Sequence, residues 1–244
     1  MDVAALITQL EQQGTALAAG AERAGLDAAV PTCPDWDVRA LLAHTGMVHR
    51  WAASIVRGEP DAHRNSNYPA PAQGVLEWFV AGHAALVTAL RDAPPDLDVW
   101  SFLPAPSPLA FWARRQAHET AIHRADADSA SGWIPTYDAE FAADGIAELI
   151  EGFIARERGP LVADPGFTLR VLPIDANASW LVEVRRDGRT VTRDGSGEAD
   201  CTLTGTSEEL YLELWNRDIA GTVTISGDGR ALDTWHELAR IVWS

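Results

Sequence analysis

The chain has 244 residues, of which 47% are apolar and 22% charged, and it carries a formal net charge of -16. This length is more than one compact domain usually holds, and the composition is typical of a globular protein, so two domains with a core in each are expected. The negative charge, with no cluster of basic residues, argues against binding to nucleic acids or anionic membranes, and the lack of lysine excludes Schiff-base chemistry.

The sequence also limits where the protein is expected and which residues could bind a metal. No apolar run approaches the length of a membrane span, and residues 1–10 lack the pattern of a secretory signal, so a cytoplasmic location is expected. The two cysteines, Cys33 and Cys201, lie far apart and form neither a disulfide framework nor a thiolate cluster. Any metal site must therefore use histidines and carboxylates.

The first 158 residues have helical periodicity. Apolar residues recur at spacings of three and four, and Pro-rich segments separate the periodic stretches. Asp37 is a suitable N-cap for the second helix. Long helices with short breaks indicate an all-α four-helix bundle in a domain spanning 1–158. Helices are predicted at 1–27, 37–57, 72–92, 109–128 and 138–157.

Past residue 158 the apolar pattern alternates, as in strands. The pair Asp187-Gly188 predicts a tight hairpin turn. Thr206 and Glu209 form a capping-box pattern that begins a helix. An α+β domain over 159–244 is therefore expected. Its predicted strands are 167–172, 180–184, 190–192, 200–204 and 222–226, and its predicted helices run from 206 to 215 and from about 231.

The fourth helix contains a pair of possible metal ligands. Glu119 and His123 are four residues apart, so both project from one face of the helix about one turn from each other. His118 points away from that face. The metalloprotease signature would need a second histidine at position 122, which is occupied by Ile122.

A third ligand is predicted on the second helix, where His44 and His49 are the candidates. His44 lies on the same face as an apolar stripe that is expected to turn inward, whereas His49 lies on a weaker face. We take His44 as the ligand. Two histidines and one carboxylate leave a coordination position open, as in catalytic zinc sites and also in non-haem iron sites. The stripe consists of Leu41, Val48, Trp51 and Ile55.

Periodicity alone leaves an alternative open. Histidines on an apolar face are also found as ordinary core residues, and Arg115 could form a plain ion pair with Glu119 one helical turn away. The spacing of these residues therefore does not decide between a metal centre and a buried polar cluster.

Three segments of the bundle and four of the second domain resemble a known family. They look like the mycothiol-dependent maleylpyruvate isomerase family, which has a DinB-like helical bundle and a sterol-carrier-like C-terminal domain. The resemblance implies zinc bound by His44, Glu119 and His123, with Arg217 turned toward the cleft between the domains to bind an anionic group. An Arg at a helix C-terminus that interacts with the helix dipole is the alternative for Arg217. The segments are 33–44, 118–126, 142–149, 199–200, 205–206, 209–217 and 223–228.

The resemblance implies a chemistry in which zinc activates the low-molecular-weight thiol mycothiol, since neither cysteine lies in a ligand segment. The expected reaction is isomerisation or S-transfer on a small electrophilic substrate that bears a carboxylate. Arg115 and Gln116, one turn upstream of the ligands, are predicted to position that carboxylate. Asp126, one turn downstream, is predicted to orient His123.

Other assignments remain open at this point. Trp51 and Trp112 share helix faces with the proposed ligands and are predicted to line a cofactor pocket, although most tryptophans are simply core residues. A zinc hydrolase that uses metal-bound water is a second class, with Asp126 or Asp37 as its poor candidates for a base. A third class is a non-catalytic module that binds a metal or a small ligand.

Overall fold

A computed structural model describes residues 1–156, 159–195, 197–217 and 221–241 of the chain. The chain divides into two compact units, Met1–Pro135 and Thr136–Ser244. The first unit is built from helices, and the second combines helices with a five-stranded sheet. This confirms the fold class predicted from the sequence.

Two helices of the first unit, Val38–Val56 (α2) and Pro108–Ala130 (α4), begin at residues whose side chains cap them. The carboxylate of Asp37 accepts a hydrogen bond from the backbone N–H of Ala40 at 2.7 Å, which caps α2 as predicted. Ser107 caps α4 in the same way, and Pro108 occupies its first turn, where no intrahelical N–H bond is lost. The helices are α1 (Val3–Ala24), α2 (Val38–Val56), α3 (Val75–Asp92) and α4 (Pro108–Ala130), with a short 3₁₀ turn at Ala62–Arg64.

The core of the first unit lies between these helices. Helix α1 packs mainly on α4, and α2 packs mainly on α3. Leucines spaced along one side of α1 are buried, which matches the three- and four-residue periodicity of that segment. One hydrophobic cluster joins the N-terminal half of α2 to α1, α3 and the end of α4. It comprises Leu17, Ala21, Val30, Val38, Leu41, Leu42, Val75, Phe79 and Ala127.

Helix α4 is buried on nearly all sides although many of its residues are polar. A helix buried all round is normally apolar, because an unpaired polar group in the interior is costly. On α4, however, Arg115, Glu119, His123 and Asp126 are all at most 7% exposed. These groups must satisfy one another inside the protein, which makes α4 the place to look for chemistry.

The second unit contains a mixed sheet. Its order is β3-β2-β1-β4-β5, with β1 parallel to β4 and the other pairs antiparallel. Thr206 and Glu209 form the predicted capping box at the start of the helix after β4. The strands are β1 (Phe167–Pro173), β2 (Trp180–Arg185), β3 (Gly188–Arg193), β4 (Cys201–Gly205) and β5 (Thr224–Gly227); the helices are α5 (Ala139–Ala147), α6 (Ser207–Leu214) and α7 (Arg230–Leu238).

The predicted hairpin between β2 and β3 is present, with its turn one residue earlier than expected. Arg185 pairs with Gly188 in the ladder, so Arg186 and Asp187 form the two-residue turn. Gly188 therefore belongs to β3 rather than to the turn. Within the described ranges, no helix is long and apolar enough to cross a membrane.

Helix α5 belongs to the second unit, whereas the sequence-based boundary after residue 158 assigns it to the first. It continues as a π-helical segment over Glu148–Ile154 and packs against α6. The ring of Phe141 lies 6.3 Å from that of Tyr211, and the indole N–H of Trp215 donates to the carbonyl of Gly145. Helical periodicity identifies α5 as a helix but carries no information about which unit it packs on.

Two buried histidines in the first unit have little hydrogen bonding. His49 on α2 is fully buried, and its Nε2 lies 2.9 Å from the Thr120 hydroxyl. His83 on α3 packs so closely on α1 that a Cβ at Gly14 would lie 2.2 Å from its ring, and neither ring nitrogen has a hydrogen bond of good geometry. Burial therefore lowers the pKa of both histidines, although Glu11 opposes the shift for His83.

Acid is expected to destabilise the protein through His83. The pKa of His83 in the folded state lies below the unfolded value of about 6.5, so acid protonates the unfolded chain first. The folded state is therefore at its most stable with respect to this group above about pH 6.5 and loses stability as the pH falls below that value. Replacing His83 by Phe keeps an aromatic ring beside Phe79 and removes the titration. Between pH 7.5 and 5.5 the variant should lose less unfolding free energy than the parent, by at most about 1.4 kcal/mol. Urea unfolding of both proteins at the two pH values measures this difference; equal losses would contradict it.

Candidate metal centre

Helices α2 and α4 bring the three predicted metal ligands together. Nε2 of His44 lies 3.5 Å from Oε1 of Glu119, and Nε2 of His123 lies 3.2 Å from the same oxygen. One ligand atom from each residue lies within 4.8 Å of the others. The three atoms are therefore close enough to surround a single ion.

Glu119 is the centre of this cluster. Its Oε2 accepts a hydrogen bond from Nη2 of Arg115, one turn earlier on α4, at 3.1 Å. Its Oε1 is buried and makes no hydrogen bond of good geometry, even though the two histidine nitrogens lie near it. A buried carboxylate oxygen without a hydrogen bond is unusual, and it faces the point where the two imidazoles converge.

The second ring nitrogen of His123 is bound to a carboxylate. Nδ1 of His123 lies 2.8 Å from Oδ2 of Asp126, and because a carboxylate only accepts, the histidine donates. Asp126 is fully buried, and its Oδ1 accepts a hydrogen bond from the Thr32 hydroxyl at 2.6 Å. With Nδ1 protonated in this way, the Nε2 of His123 is the atom left to face Glu119.

An aromatic ring covers the two histidines. Trp36, in the loop between α1 and α2, has its ring 4.9 Å from that of His44 and 5.9 Å from that of His123. The two imidazoles are nearly perpendicular, with centroids 5.1 Å apart. His44 keeps 19% of its side chain exposed, compared with 9% for the other two residues, so the cluster is approached past His44.

The electrostatics of the cluster favour opposite charges on neighbouring groups. Burial alone would raise the pKa of Glu119, but His123, His44 and Arg115 hold it well below its usual range. Burial alone would lower the pKa of His123, but Asp126 and Glu119 raise it to about 9. In the metal-free protein at neutral pH, His123 is therefore protonated, and a metal that binds there must displace that proton.

The donor set fits a divalent metal. Two imidazole nitrogens and one carboxylate oxygen are ligands that zinc uses in catalytic sites, with a fourth position left open. A carboxylate bound to the outer nitrogen of a histidine is the usual support for a metal-binding imidazole. Oε1 of Glu119 lies within 3.5 Å of both Nε2 atoms without a hydrogen bond of good geometry to either, and a shared ion fits this arrangement.

Three further residues are predicted to contact a substrate, and the structure shows what each of them contacts in the protein. Arg115 is 1% exposed and bound to Glu119, and Gln116 is equally buried with no hydrogen bond to its Oε1 among the described residues. Arg217 lies in the second unit and donates to the carbonyl of Trp215. Their predicted contacts with a substrate stay predictions.

Trp51 and Trp112, the predicted pocket residues, belong to an aromatic cluster. Their rings are 5.4 Å apart at 84°, and Trp112 is fully buried. The indole N–H of Trp51 donates to the carbonyl of Ala62, and that of Trp112 donates to the carbonyl of Trp100. Both polar atoms are thus occupied by the backbone, and a contact with a cofactor stays a prediction.

The two histidines set aside in the sequence lie outside the cluster. His49 and His118 are both fully buried, so the weaker apolar face expected for His49 nevertheless points into the core. Neither belongs to the group of residues whose ligand atoms converge.

Thr32 and Trp36 are site residues that periodicity does not reveal. Both lie in the loop before α2, and a loop has no repeat from which the direction of a side chain can be inferred. Trp36 stands in the segment 33–44 used for the family resemblance, whereas Thr32 lies one residue before that segment.

Family models match both units of the chain. The model of the mycothiol maleylpyruvate isomerase N-terminal domain matches residues 7–128, and the model of the C-terminal domain of the same family matches residues 140–234. The two matches follow one another in the order of the compact units and together span most of the sequence.

Two solved structures of a mycothiol-dependent maleylpyruvate isomerase have a similar fold. One is 15% identical in sequence with a TM-score of 0.61, and the other, a histidine-to-alanine variant, is 13% identical with a TM-score of 0.60. Each comparison covers 93% of both chains. No curated protein matches the sequence. At these identities the structural likeness establishes the fold alone.

Proposed function

The chain belongs to the mycothiol maleylpyruvate isomerase family, and from this premise we propose that it is a zinc enzyme that activates mycothiol at His44, Glu119 and His123. Its reaction is isomerisation or S-transfer on a small, electrophilic, carboxylate-bearing molecule. Membership of the family supports an enzyme with a mycothiol-related isomerase role. The metal and the finer chemistry are inferred from the cluster.

The observation that carries the proposal is the convergence of three ligand atoms on a buried point. Glu119 contributes an oxygen without a hydrogen bond, and two imidazoles from different helices turn their Nε2 atoms toward it. Assembling such a group costs desolvation free energy, which a bound cation would offset.

A zinc ion in this site would lower the pKa of a thiol bound at its open position, so that the thiolate forms at neutral pH. The thiol is expected to come from a cosubstrate. Cys201 lies in β4 of the second unit, where burial raises the pKa of its thiol, and Cys33 is not among the converging residues.

The protein side chains have separate tasks in this scheme. Arg115 holds Glu119 as a carboxylate, and Asp126 holds His123 with its Nε2 facing the cluster. Trp36 covers the imidazoles and excludes water from one side. Addition of a thiolate to an activated cis double bond permits rotation about the resulting single bond, and departure of the thiolate restores the double bond in trans geometry. If the thiol instead stays attached and the enolate carbon takes up a proton, the product is a thioether, which is the outcome of S-transfer.

The hydrolase alternative lacks a suitable base. Glu119 is used in the cluster, Asp126 is bound to His123 and Thr32, and Asp37 caps α2. No carboxylate singled out in the sequence is therefore placed to activate a water molecule. A non-catalytic binding module would show ligand uptake without product, which the following experiment detects.

The test of the proposal is an assay of thiol dependence. The purified protein is loaded with zinc and supplied with maleylpyruvate, with and without mycothiol, and both the trans isomer and the thioether adduct with mycothiol are measured as products. We expect product only when both metal and thiol are present, none for a His44→Ala variant, and undiminished turnover for His63→Ala, which removes an exposed histidine. Product formed without thiol, or uptake of either compound without product, would overturn the proposal.

A further inference from the structure

Thr32 is a polar residue next to the cluster to which no role has been assigned. It lies in the loop between α1 and α2, partly buried, with its hydroxyl oxygen 2.6 Å from Oδ1 of Asp126. A carboxylate has no proton to give at neutral pH, so the hydroxyl is the donor. Hydrogen bonds from a neutral donor to a charged acceptor are stronger than neutral ones, and this short distance is typical of them.

Asp126 links this hydroxyl to a predicted metal ligand. Its two oxygens have different partners: Oδ1 accepts from Thr32, and Oδ2 accepts from Nδ1 of His123 at 2.8 Å. With one oxygen fixed by the loop and the other by the ring, rotation of the carboxylate would break both bonds. The orientation of the carboxylate in turn sets the plane of the His123 ring.

We infer that Thr32 is a positioning residue for the metal centre, acting through Asp126 on His123. This inference rests on the proposed function, since it concerns the residues that would hold the metal. The Thr32 hydroxyl stabilises the orientation of Asp126 in which the Nε2 of His123 faces Oε1 of Glu119 at 3.2 Å. Thr32 touches neither the ligand atoms nor a substrate in this role.

The loop that carries Thr32 is built to hold such a position. The backbone N–H of Val30 donates to the carbonyl of Trp36 at 3.0 Å, and that of Trp36 donates to the carbonyl of Cys33 at 2.8 Å. Ala29 and Asp37 form a bridge that closes the loop at its base. Thr32 therefore reaches α4 from a defined frame, and the same frame places Trp36 on the two histidines.

The inference is tested with two substitutions of one side chain. Thr32→Val removes the hydroxyl and keeps the branched shape, whereas Thr32→Ser keeps the hydroxyl and removes a methyl group. The zinc dissociation constant is measured by competition with a chelating dye. We expect about a tenfold weaker constant for Thr32→Val, at the low end of effects for residues that support a metal ligand, and a value near the parent for Thr32→Ser.

Ser129→Ala is the matched control. The Ser129 hydroxyl lies 3.4 Å from that of Thr32, but it donates to the backbone carbonyl of Asp126 instead of its carboxylate. This variant should stay within about twofold of the parent. Unchanged zinc affinity in Thr32→Val, or equal weakening in Thr32→Val and Thr32→Ser, would overturn the inference.

A readout without metal separates this inference from the proposed function. In the metal-free protein, the Nδ1 proton of His123 should give a protected, downfield proton resonance in nuclear magnetic resonance spectra. We expect that resonance to persist in Thr32→Ser and to broaden by exchange with water in Thr32→Val. If the parent binds no zinc, the proposed function fails while the resonances still decide the role of Thr32; identical resonances in both variants would contradict that role.

Discussion

Replacing Glu119 by glutamine is expected to weaken zinc binding by more than about a hundredfold, because the loss of a direct ligand exceeds the effect of losing a supporting residue. The amide keeps the size of the side chain but lacks the negative charge that attracts a metal cation and, in the metal-free protein, the protonated His123. Elemental analysis of the purified variant and dye competition measure the loss. Stoichiometric zinc in Glu119→Gln would contradict the proposed ligand set.

The same substitution should destabilise the metal-free protein. Arg115 is 1% exposed and His123 has a pKa raised to about 9, so both are buried cations that face the carboxylate of Glu119. The amide removes the negative charge that both cations face, and breaking a buried ion pair costs up to about 3–5 kcal/mol of unfolding free energy. Glu77→Gln makes the same change on the exposed side of α3, and it should leave the zinc content unaltered and lower stability by no more than about 1 kcal/mol, the value of an acidic charge in the first turn of a helix.

Replacing Trp112 by alanine is expected to lower the free energy of unfolding by about 3–5 kcal/mol, as for other large aromatic residues removed from a core. Trp112 is fully buried, packs edge-on against the rings of Trp51 and Phe111, and gives its indole N–H to the carbonyl of Trp100. The variant loses these contacts and leaves that carbonyl without its donor. Chemical denaturation measures the effect.

Trp133→Ala provides the comparison for that result. Trp133 is 56% exposed, and its ring contacts the guanidinium of Arg23. Such an exposed contact contributes about 0.5–1 kcal/mol. If Trp112→Ala lost no more stability than Trp133→Ala, the stabilisation expected from the buried contacts of Trp112 would be contradicted, and its predicted place in a ligand pocket would gain support.

Much of the fold followed from local signals in the sequence. Asp37, the predicted N-cap, caps α2 with its own side chain, so the start of that helix depends on a few neighbouring residues. The spacing of Glu119 and His123 placed both on one face, and the apolar stripe selected His44 over His49. Each of these inferences needs only helix geometry and the tendency of apolar faces to turn inward.

The remaining features depend on tertiary contacts that periodicity does not encode. Whether α5 packs on the first or the second unit is decided by partners such as Tyr211, far along the chain. An inward face looks the same in sequence whether it meets a core, as for Trp112, or a pocket. The position of Thr32 depends on the path of a loop, which no repeat describes.

The buried polar residues of α4 favour one rotation of this helix in the bundle over all others. A rotation of α4 by one residue, about 100°, would move Glu119 away from His44 on α2. It would also bring the charged side chains of α4 against apolar neighbours. Each buried charge left unpaired in such an arrangement would cost several kcal/mol. Competing packings of α4 are thereby separated in energy from the native one, whereas a uniformly apolar helix would tolerate several rotations and slides.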